Sequence, residues 1–243
     1  MHGPSPSFPP LLRGEEAGLG VRPMDRAIGQ AVMGIDPGLV VHNNSAEMLE
    51  AAIVLAPETT LNASMAMVFA AALGFSDALG ALAPPEVAVH MTWPGGFRVN
   101  GARCGGLQVA APIDDPSKTP DWLVIGLAVP FQFHERTEPG QTVDDTTLVM
   151  EGCGEIAPLQ LLESWSRHML VWMNKWETEG KARLHTEWRG KAFDIGKDVA
   201  TSLRGKTNQG TFMGLDEDGG MLLRMSDTGE TVLLPLTHML KVM

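Results

Sequence analysis

The spacing of hydrophobic and polar positions changes along the chain, and each spacing predicts a different kind of element. Residues 24–33, and a segment capped by Thr59 or Thr60, carry apolar side chains every three or four positions, which is typical of amphipathic helices. The same spacing is strongest after Pro158, where leucines, methionines and tryptophans recur over a long stretch. We therefore predict three helices, followed by a short fourth one around 184–188.

Short runs rich in branched side chains predict strands between these helices. The runs lie at 39–41, 51–55, 87–93, 97–99, 104–110 and 122–133. Asn100-Gly101 predicts a two-residue hairpin turn, because both central positions of a type I′ turn need a positive φ. The pattern as a whole predicts an α+β fold in which a mixed sheet is covered by helices.

The two ends of the chain differ from its middle. Residues 1–23 contain five prolines, which predicts an extended N-terminal arm on the surface. From Val199 onward, short apolar runs alternate with glycine turns, as in a small β-barrel. We predict an arm at 1–23, a main domain at 24–195 and a small C-terminal domain at 196–243.

Charge narrows the possible functions. The 243 residues carry 29 acidic and 18 basic side chains, a formal net charge of −11. Nucleic-acid binding needs a clustered basic face, which the sequence does not offer, so we expect no nucleic-acid partner. No lysine precedes Lys118, so few cations are present to neutralise a triphosphate.

The remaining composition predicts a cytoplasmic protein without a membrane partner. Cys104 and Cys153 lie far apart, and the N-terminus shows no secretory signal pattern. The longest apolar stretch, 61–73, is interrupted by Asn62 and Ser64 and is too short to cross a bilayer.

The stretch from His90 to Val109, HMTWPGGFRVNGARCGGLQV, carries a family resemblance. It resembles the central motif of the biotin and lipoate protein ligase superfamily, in which a Lys-Trp-Pro-Asn-Asp strand end leads through a hairpin to a Lys-x-x-Gly strand. Later elements follow in the family's order: the strand IGLAVP at 125–130, then TTL at 146–148, then a long helix and a β-rich tail. The resemblance spans about 24–243 and implies a core like that of class II aminoacyl-tRNA synthetases and biotin ligases, with an SH3-like C-terminal domain.

The sequence departs from the family pattern where the family places its chemistry. Thr92 replaces the first motif lysine, and Gly95 and Gly96 replace its asparagine and aspartate. The arginine- and glycine-rich loop that closes over the adenylate in the family is matched here only by about 44–48, which has neither residue type. Arg103 takes the place of the second family lysine and keeps its positive charge.

The resemblance implies a site that can be named residue by residue. Arg103 is the candidate catalytic residue, and Cys153 is a second candidate, since octanoyltransferases use a thiol nucleophile. The predicted ligand-binding residues are Trp93, Pro94, Gly95, Gly96, Gly105, Gly106, Asn43 and Gly126. The implied ligands are biotin, lipoate or octanoate, or an adenylate of one of them, and we predict no metal site.

Each of these residues also has a structural interpretation. Paired glycines such as Gly105 and Gly106 mark a bulge as readily as a place where a ligand approaches the backbone. The acidic neighbours of Cys153 would raise the pKa of its thiol rather than lower it. His42 and His90 are interpreted first as hydrogen-bonded structural residues, because no ligand-spaced cysteine or carboxylate accompanies them.

Three functional hypotheses follow. The first is a protein that keeps the pocket for a small carboxylic acid or acyl group but has lost ATP-dependent activation. The second is an active transferase with relocated catalytic groups, Arg103 together with His42, His90 or Cys153, acting on a biotinyl or lipoyl carrier domain. The third is a non-catalytic interaction module that self-associates, for example as a homodimer, through a strand edge and the aromatic helix.

Overall fold

A computed structural model of the chain describes residues 6–34, 37–133 and 144–241. The strands are β1 (Arg13–Glu16), β2 (Leu39–His42), β3 (Met48–Leu55), β4 (Val89–Thr92), β5 (Gly96–Val99), β6 (Ala102–Ala110), β7 (Leu123–Pro130), β8 (Asp198–Leu203), β9 (Lys206–Leu215), β10 (Met221–Met225) and β11 (Thr231–Leu234). The helices are α1 (Pro23–Val32), α2 (Leu61–Ser64), α3 (Ala66–Leu82), α4 (Pro158–Glu179) and α5 (Lys181–Gly190). The predicted α+β class is confirmed.

The first seven strands form one mixed sheet in the order β1-β2-β3-β7-β6-β5-β4. β1 runs parallel to β2, and the other neighbouring strands of this sheet are antiparallel. The predicted hairpin between β5 and β6 is confirmed, with Asn100 at φ 50° and Gly101 at φ 92°. Positive φ at both positions is what a type I′ turn requires.

Helices cover both faces of this sheet. α1 packs on β2, β3 and β7 on one face, and α3 and α4 pack on the other. Gly74 allows α3 to approach α4 closely, since a Cβ there would lie 2.8 Å from the backbone nitrogen of Met169. Trp165 and Trp172 of α4 are 0% and 5% exposed, and their indole nitrogens donate to Ala71 O and Asp77 Oδ2. These two tryptophans therefore belong to the core rather than to a free surface.

The N-terminal arm is partly ordered as sheet. Residues 13–16 form β1, an edge strand held by β2, which the proline-rich composition did not predict as an element. Pro4, Pro6, Pro9 and Pro10 all precede β1, so the missing N–H of proline does not interrupt this ladder. The proposed boundaries at 23/24 and 195/196 stay predictions.

The C-terminal segment folds as an antiparallel sheet of four strands in the order β11-β10-β9-β8, followed by a 3₁₀ turn at Leu236–Met239. The β-rich tail is thus confirmed, while its closure into an SH3-like barrel stays a prediction.

The apolar segment Leu61–Leu82 is 22 residues long and apolar enough to span a membrane. Length therefore does not exclude a span, contrary to the argument from the sequence. However, 78% of its most apolar window is buried inside the protein, as in the core helix of a globular fold.

Candidate functional site

An irregularity in β6 shapes the sheet next to the β5–β6 hairpin. In the pairing with β5, Gly96 lies opposite Gly106 and Arg98 opposite Arg103, so β6 carries one extra residue. Gly105 lies within this bulge at φ 81°, and a Cβ there would collide with the carbonyl oxygen of Ala128. The bulge thus requires glycine at this position.

A cavity of about 720 Å³ opens on the sheet beside this bulge. Residues two apart along a strand share a face, so Gly126 and Ala128 lie on the same side of β7. Gly126 lies beneath Met24 of α1, whereas Ala128 lines the cavity. The cavity therefore occupies the part of that face that α1 leaves uncovered. It is lined by Glu47, Met48, Arg103, Gly105, Gly106, Leu107, Gln108, Ala128, Pro130, Gln132, Phe133, Asp145 and Thr146.

Arg103 provides the positive charge of the described cavity lining. Its Nε donates to Asp145 Oδ1 at 2.6 Å, while its side chain remains 58% exposed. The backbone holds both partners together, since Arg103 N donates to Asp144 O at 2.7 Å and Thr146 N donates to Arg103 O at 2.8 Å. Only Nε of the guanidinium group is engaged among the described residues, so Asp145 fixes its orientation and leaves both terminal nitrogens available.

Of the predicted site residues, the structure brings Arg103, Gly105 and Gly106 together at this cavity. Gly106 also packs against the preceding corner of the chain, where a Cβ would lie 2.7 Å from Gly95 O. Gly105 therefore forms a bulge, both glycines line the cavity, and the approach of a ligand to their backbone stays a prediction.

The Trp-Pro-Gly-Gly corner contacts the C-terminal segment. Trp93 is 6% exposed, and its Nε1 donates to Gly219 O, in the β9–β10 turn, at 2.9 Å. A Cβ on Gly95 would lie 3.2 Å from the Met239 side chain, and one on Gly96 would collide with Thr92 Oγ1. Residues 93–96 are absent from the described cavity lining, and the half-buried Pro94 completes the corner.

Asn43 closes the short connection between β2 and β3. Its Nδ2 donates to Met48 O at 2.9 Å, and its Oδ1 accepts from Glu50 N at 2.9 Å. Ser45 Oγ accepts from the backbone nitrogens of Glu47 and Met48. The side chain of Asn43 is therefore used within the turn, and Glu47 is the charged residue that this connection adds to the cavity.

Both cysteines are buried free thiols. Burial and the nearby charge of Glu151 raise the pKa of Cys104 to about 12, and the same two causes raise the pKa of Cys153. Both effects favour the neutral thiol, whereas a nucleophile needs the thiolate.

The two candidate histidines lie on strands away from the described cavity lining. His42 is 5% exposed on β2, and its Nδ1 lies 3.0 Å from Asn43 O. His90 lies on β4, beside Phe193. His134 falls outside the described residues. Among the residues that are described, no group of three or more His, Cys, Asp or Glu side chains could hold a metal ion.

Sequence reasoning missed the partners of Arg103. Asp145 and Thr146 reach it from a distant segment, while Gln108 of β6 and Met48 of β3 complete the lining around it. An acidic residue ahead of the Thr146-Thr147-Leu148 stretch was the available signal, but no spacing rule connects it to Arg103.

Comparisons with known proteins agree with this architecture. The family model of the biotin/lipoate A/B protein ligase family matches residues 8–190. The chain is 24% identical over 175 residues to a biotin–[acetyl-CoA-carboxylase] ligase of Paracoccus denitrificans, which covers 71% of this chain and 72% of that protein.

Solved structures give the same result. A biotin protein ligase-like protein of unknown function from a Silicibacter species has a TM-score of 0.88 at 49% identity, covering 98% of this chain and all of that one. Biotin protein ligase from Aquifex aeolicus has a TM-score of 0.70 at 16% identity and covers 92% of both chains, a likeness of fold alone. The fold is that of a biotin ligase catalytic domain followed by a small β-sheet. The chain belongs to the biotin/lipoate A/B protein ligase family.

Proposed function

We propose that this protein binds a small carboxylic acid or acyl group in the cavity at Arg103 and does not carry out standard ATP-dependent biotinylation. The observation that carries the proposal is the guanidinium group of Arg103, which Asp145 orients and whose two terminal nitrogens have no partner among the described residues. Two parallel N–H donors match the two oxygens of a carboxylate, so the group could bind one in a bidentate manner.

The size and lining of the cavity fit such a ligand. Its volume of about 720 Å³ falls within the roughly 300–1,000 Å³ typical of small-molecule sites. Leu107, Ala128 and Phe133 supply apolar surface, while Gly105 and Gly106 present backbone without side chains. This combination suits an acid with an apolar body, such as biotin, lipoate or octanoate.

The short β2–β3 connection supports the loss of ATP-dependent activation. At the corresponding place the family carries an arginine- and glycine-rich loop, whereas here Asn43 and Ser45 satisfy their own turn and Glu47 adds a negative charge. Arg103 is the single cation of the described lining, and Asp145 already pairs with it, so little positive charge remains there for a triphosphate. The replacement of the first family lysine by Thr92 supports the same conclusion.

An active transferase that accepts an already activated acyl donor remains the alternative. Its acceptor would be a biotinyl or lipoyl carrier domain, by analogy with relatives such as the Paracoccus denitrificans ligase, which is named for acetyl-CoA carboxylase. The positions of His42, His90 and Cys153 away from the described cavity lining favour binding over transfer. A cytoplasmic location and a homodimer also stay proposals.

Calorimetry with biotin, lipoate, octanoate and their adenylates tests the binding proposal. We expect one of them to bind and Arg103→Gln to weaken that binding about tenfold or more, since a charge-assisted bidentate contact is lost. Arg26→Gln is the matched control, because Arg26 forms a comparable exposed pair with Glu15, at 2.8 Å, outside the described cavity lining. The proposal fails if the folded protein binds none of these compounds, or if Arg103→Gln binds as well as the wild type.

A further inference from the structure

Three basic side chains lie in a single row across the sheet. In the antiparallel register His90 of β4 lies opposite Arg98 of β5, and Arg98 lies opposite Arg103 of β6. Directly opposed residues share one face of a sheet, and like charges placed there destabilise the pairing. Asp145 pairs with Arg103, whereas His90 and Arg98 have no carboxylate partner among the described residues.

A further cation, Lys197, lies beside Arg98 and His90 at the ring of Phe193. The Arg98 guanidinium carbon lies 4.6 Å from the centre of the Phe193 ring, and Lys197 Nζ lies 3.7 Å from it. The His90 ring packs against the same phenyl group with 5.7 Å between ring centres. The backbone fixes the aromatic residue, because Phe193 N donates to Met91 O at 2.8 Å.

Two polar atoms of this cluster have no partner among the described residues. Nε of Arg98 and Nδ1 of His90 are buried without a hydrogen bond, although Arg98 Nη1 donates to Gly101 O at 2.6 Å. In the part of the chain that the structure describes, no carboxylate pairs with Arg98 or Lys197. The nearest acids in sequence are Asp194, which forms no ion pair among the described residues, and Asp198, which accepts from the Thr211 hydroxyl.

Leaving buried donors unpaired and cations unneutralised costs stability unless a bound group compensates for it. We propose that His90, Arg98 and Lys197, which Phe193 holds together, form a binding site for a phosphate group. Two fixed positive charges and an imidazole match the roughly dianionic charge and the several acceptor oxygens of a phosphate better than the single charge of a carboxylate. The site is separate from the Arg103 cavity, since none of these four residues belongs to the described cavity lining.

The overall charge of the protein limits where a phosphate group could bind. At a net charge of −11 the molecule as a whole repels anions, so uptake of phosphate requires a local arrangement of cations. Lys175 is a matched control, because it is also a cation on an aromatic ring, 4.0 Å from the centre of the Trp172 ring, but lies outside this cluster.

Calorimetry and ³¹P NMR with inorganic phosphate, at an ionic strength held constant with chloride, test the proposal. We expect the wild type to bind phosphate, Lys197→Gln to bind it about tenfold more weakly, and Lys175→Gln to behave as the wild type. Lys197 is exposed, so its replacement leaves the fold intact even if Arg98→Gln does not fold.

Three results would overturn this assignment: a wild type that does not bind phosphate, equal weakening in Lys175→Gln and Lys197→Gln, or acetate binding as strongly as phosphate. Binding of phosphate that Lys197→Gln weakens would support it whether or not the Arg103 cavity binds an acid.

Discussion

Replacing Trp93 by phenylalanine separates a structural role of this motif residue from a ligand-binding role. The change removes the indole N–H that donates to Gly219 O at 2.9 Å. Trp93 is only 6% exposed, so water cannot easily replace this donor. A buried carbonyl left without its donor costs about 1–3 kcal/mol, and the smaller ring leaves additional unfilled space. We therefore expect a loss of about 2–3 kcal/mol in the free energy of unfolding, equivalent to roughly 4–12 °C in Tm for a chain of this size.

Urea denaturation and thermal melting measure this loss, and limited proteolysis reports whether the C-terminal sheet detaches first. Trp176→Phe is the matched control, because the Trp176 indole is half-buried and makes no hydrogen bond among the described residues. It should cost less than about 1 kcal/mol. Unchanged stability in Trp93→Phe together with weaker binding of biotin or octanoate would refute this reasoning and establish Trp93 as a pocket wall.

Three further outcomes follow from packing and ionisation. Gly74→Ala should lower the free energy of unfolding by about 1–3 kcal/mol, because its Cβ would press on the Met169 backbone. Gly80 lies in the same helix, but a Cβ there would meet no atom within 4 Å, so Gly80→Ala should raise the free energy of unfolding by about 0.5–1 kcal/mol. Equal effects in urea denaturation would contradict the α3–α4 contact. Cys104 and Cys153 should resist iodoacetamide in the native protein at pH 8 and react once urea unfolds it; rapid native labelling would show that the thiols are accessible. Because the folded pKa of Cys104 is raised to about 12 from an ordinary 9.0, the unfolded chain loses this proton first. The free energy of unfolding should therefore fall as the pH rises from 9.0 to about 12, and this decline should be shallower in Cys104→Ala.

Local chemistry explains why three residues of the family motif line one cavity, while their role in ligand binding stays a prediction. Asn100-Gly101 dictates its turn through the positive φ of both residues, and this turn places β6 beside β5. Arg103, Gly105 and Gly106 therefore reached the same cavity as expected. The role of Trp93 did not follow from its motif, because its hydrogen-bond partner lies 126 residues away in the chain.

The sequence by itself determined most of the elements and their order, though not the edge strand β1. Apolar spacing fixed α1, α3 and α4, branched runs fixed most strands, and the absence of arginine and glycine between β2 and β3 was visible directly. These features depend on residues within a few positions of one another, so periodicity and turn chemistry suffice to predict them.

Tertiary structure decided which side chains meet. The pairing of Arg103 with Asp145, and the convergence of Arg98 and Lys197 on Phe193, join segments separated by tens of residues. Strand order, register and the bulge in β6 set these encounters, and a shift of one residue in the register of β5 or β6 would turn Arg98 or Arg103 to the other face of the sheet. No local pattern encodes that choice, because it depends on how the core packs as a whole.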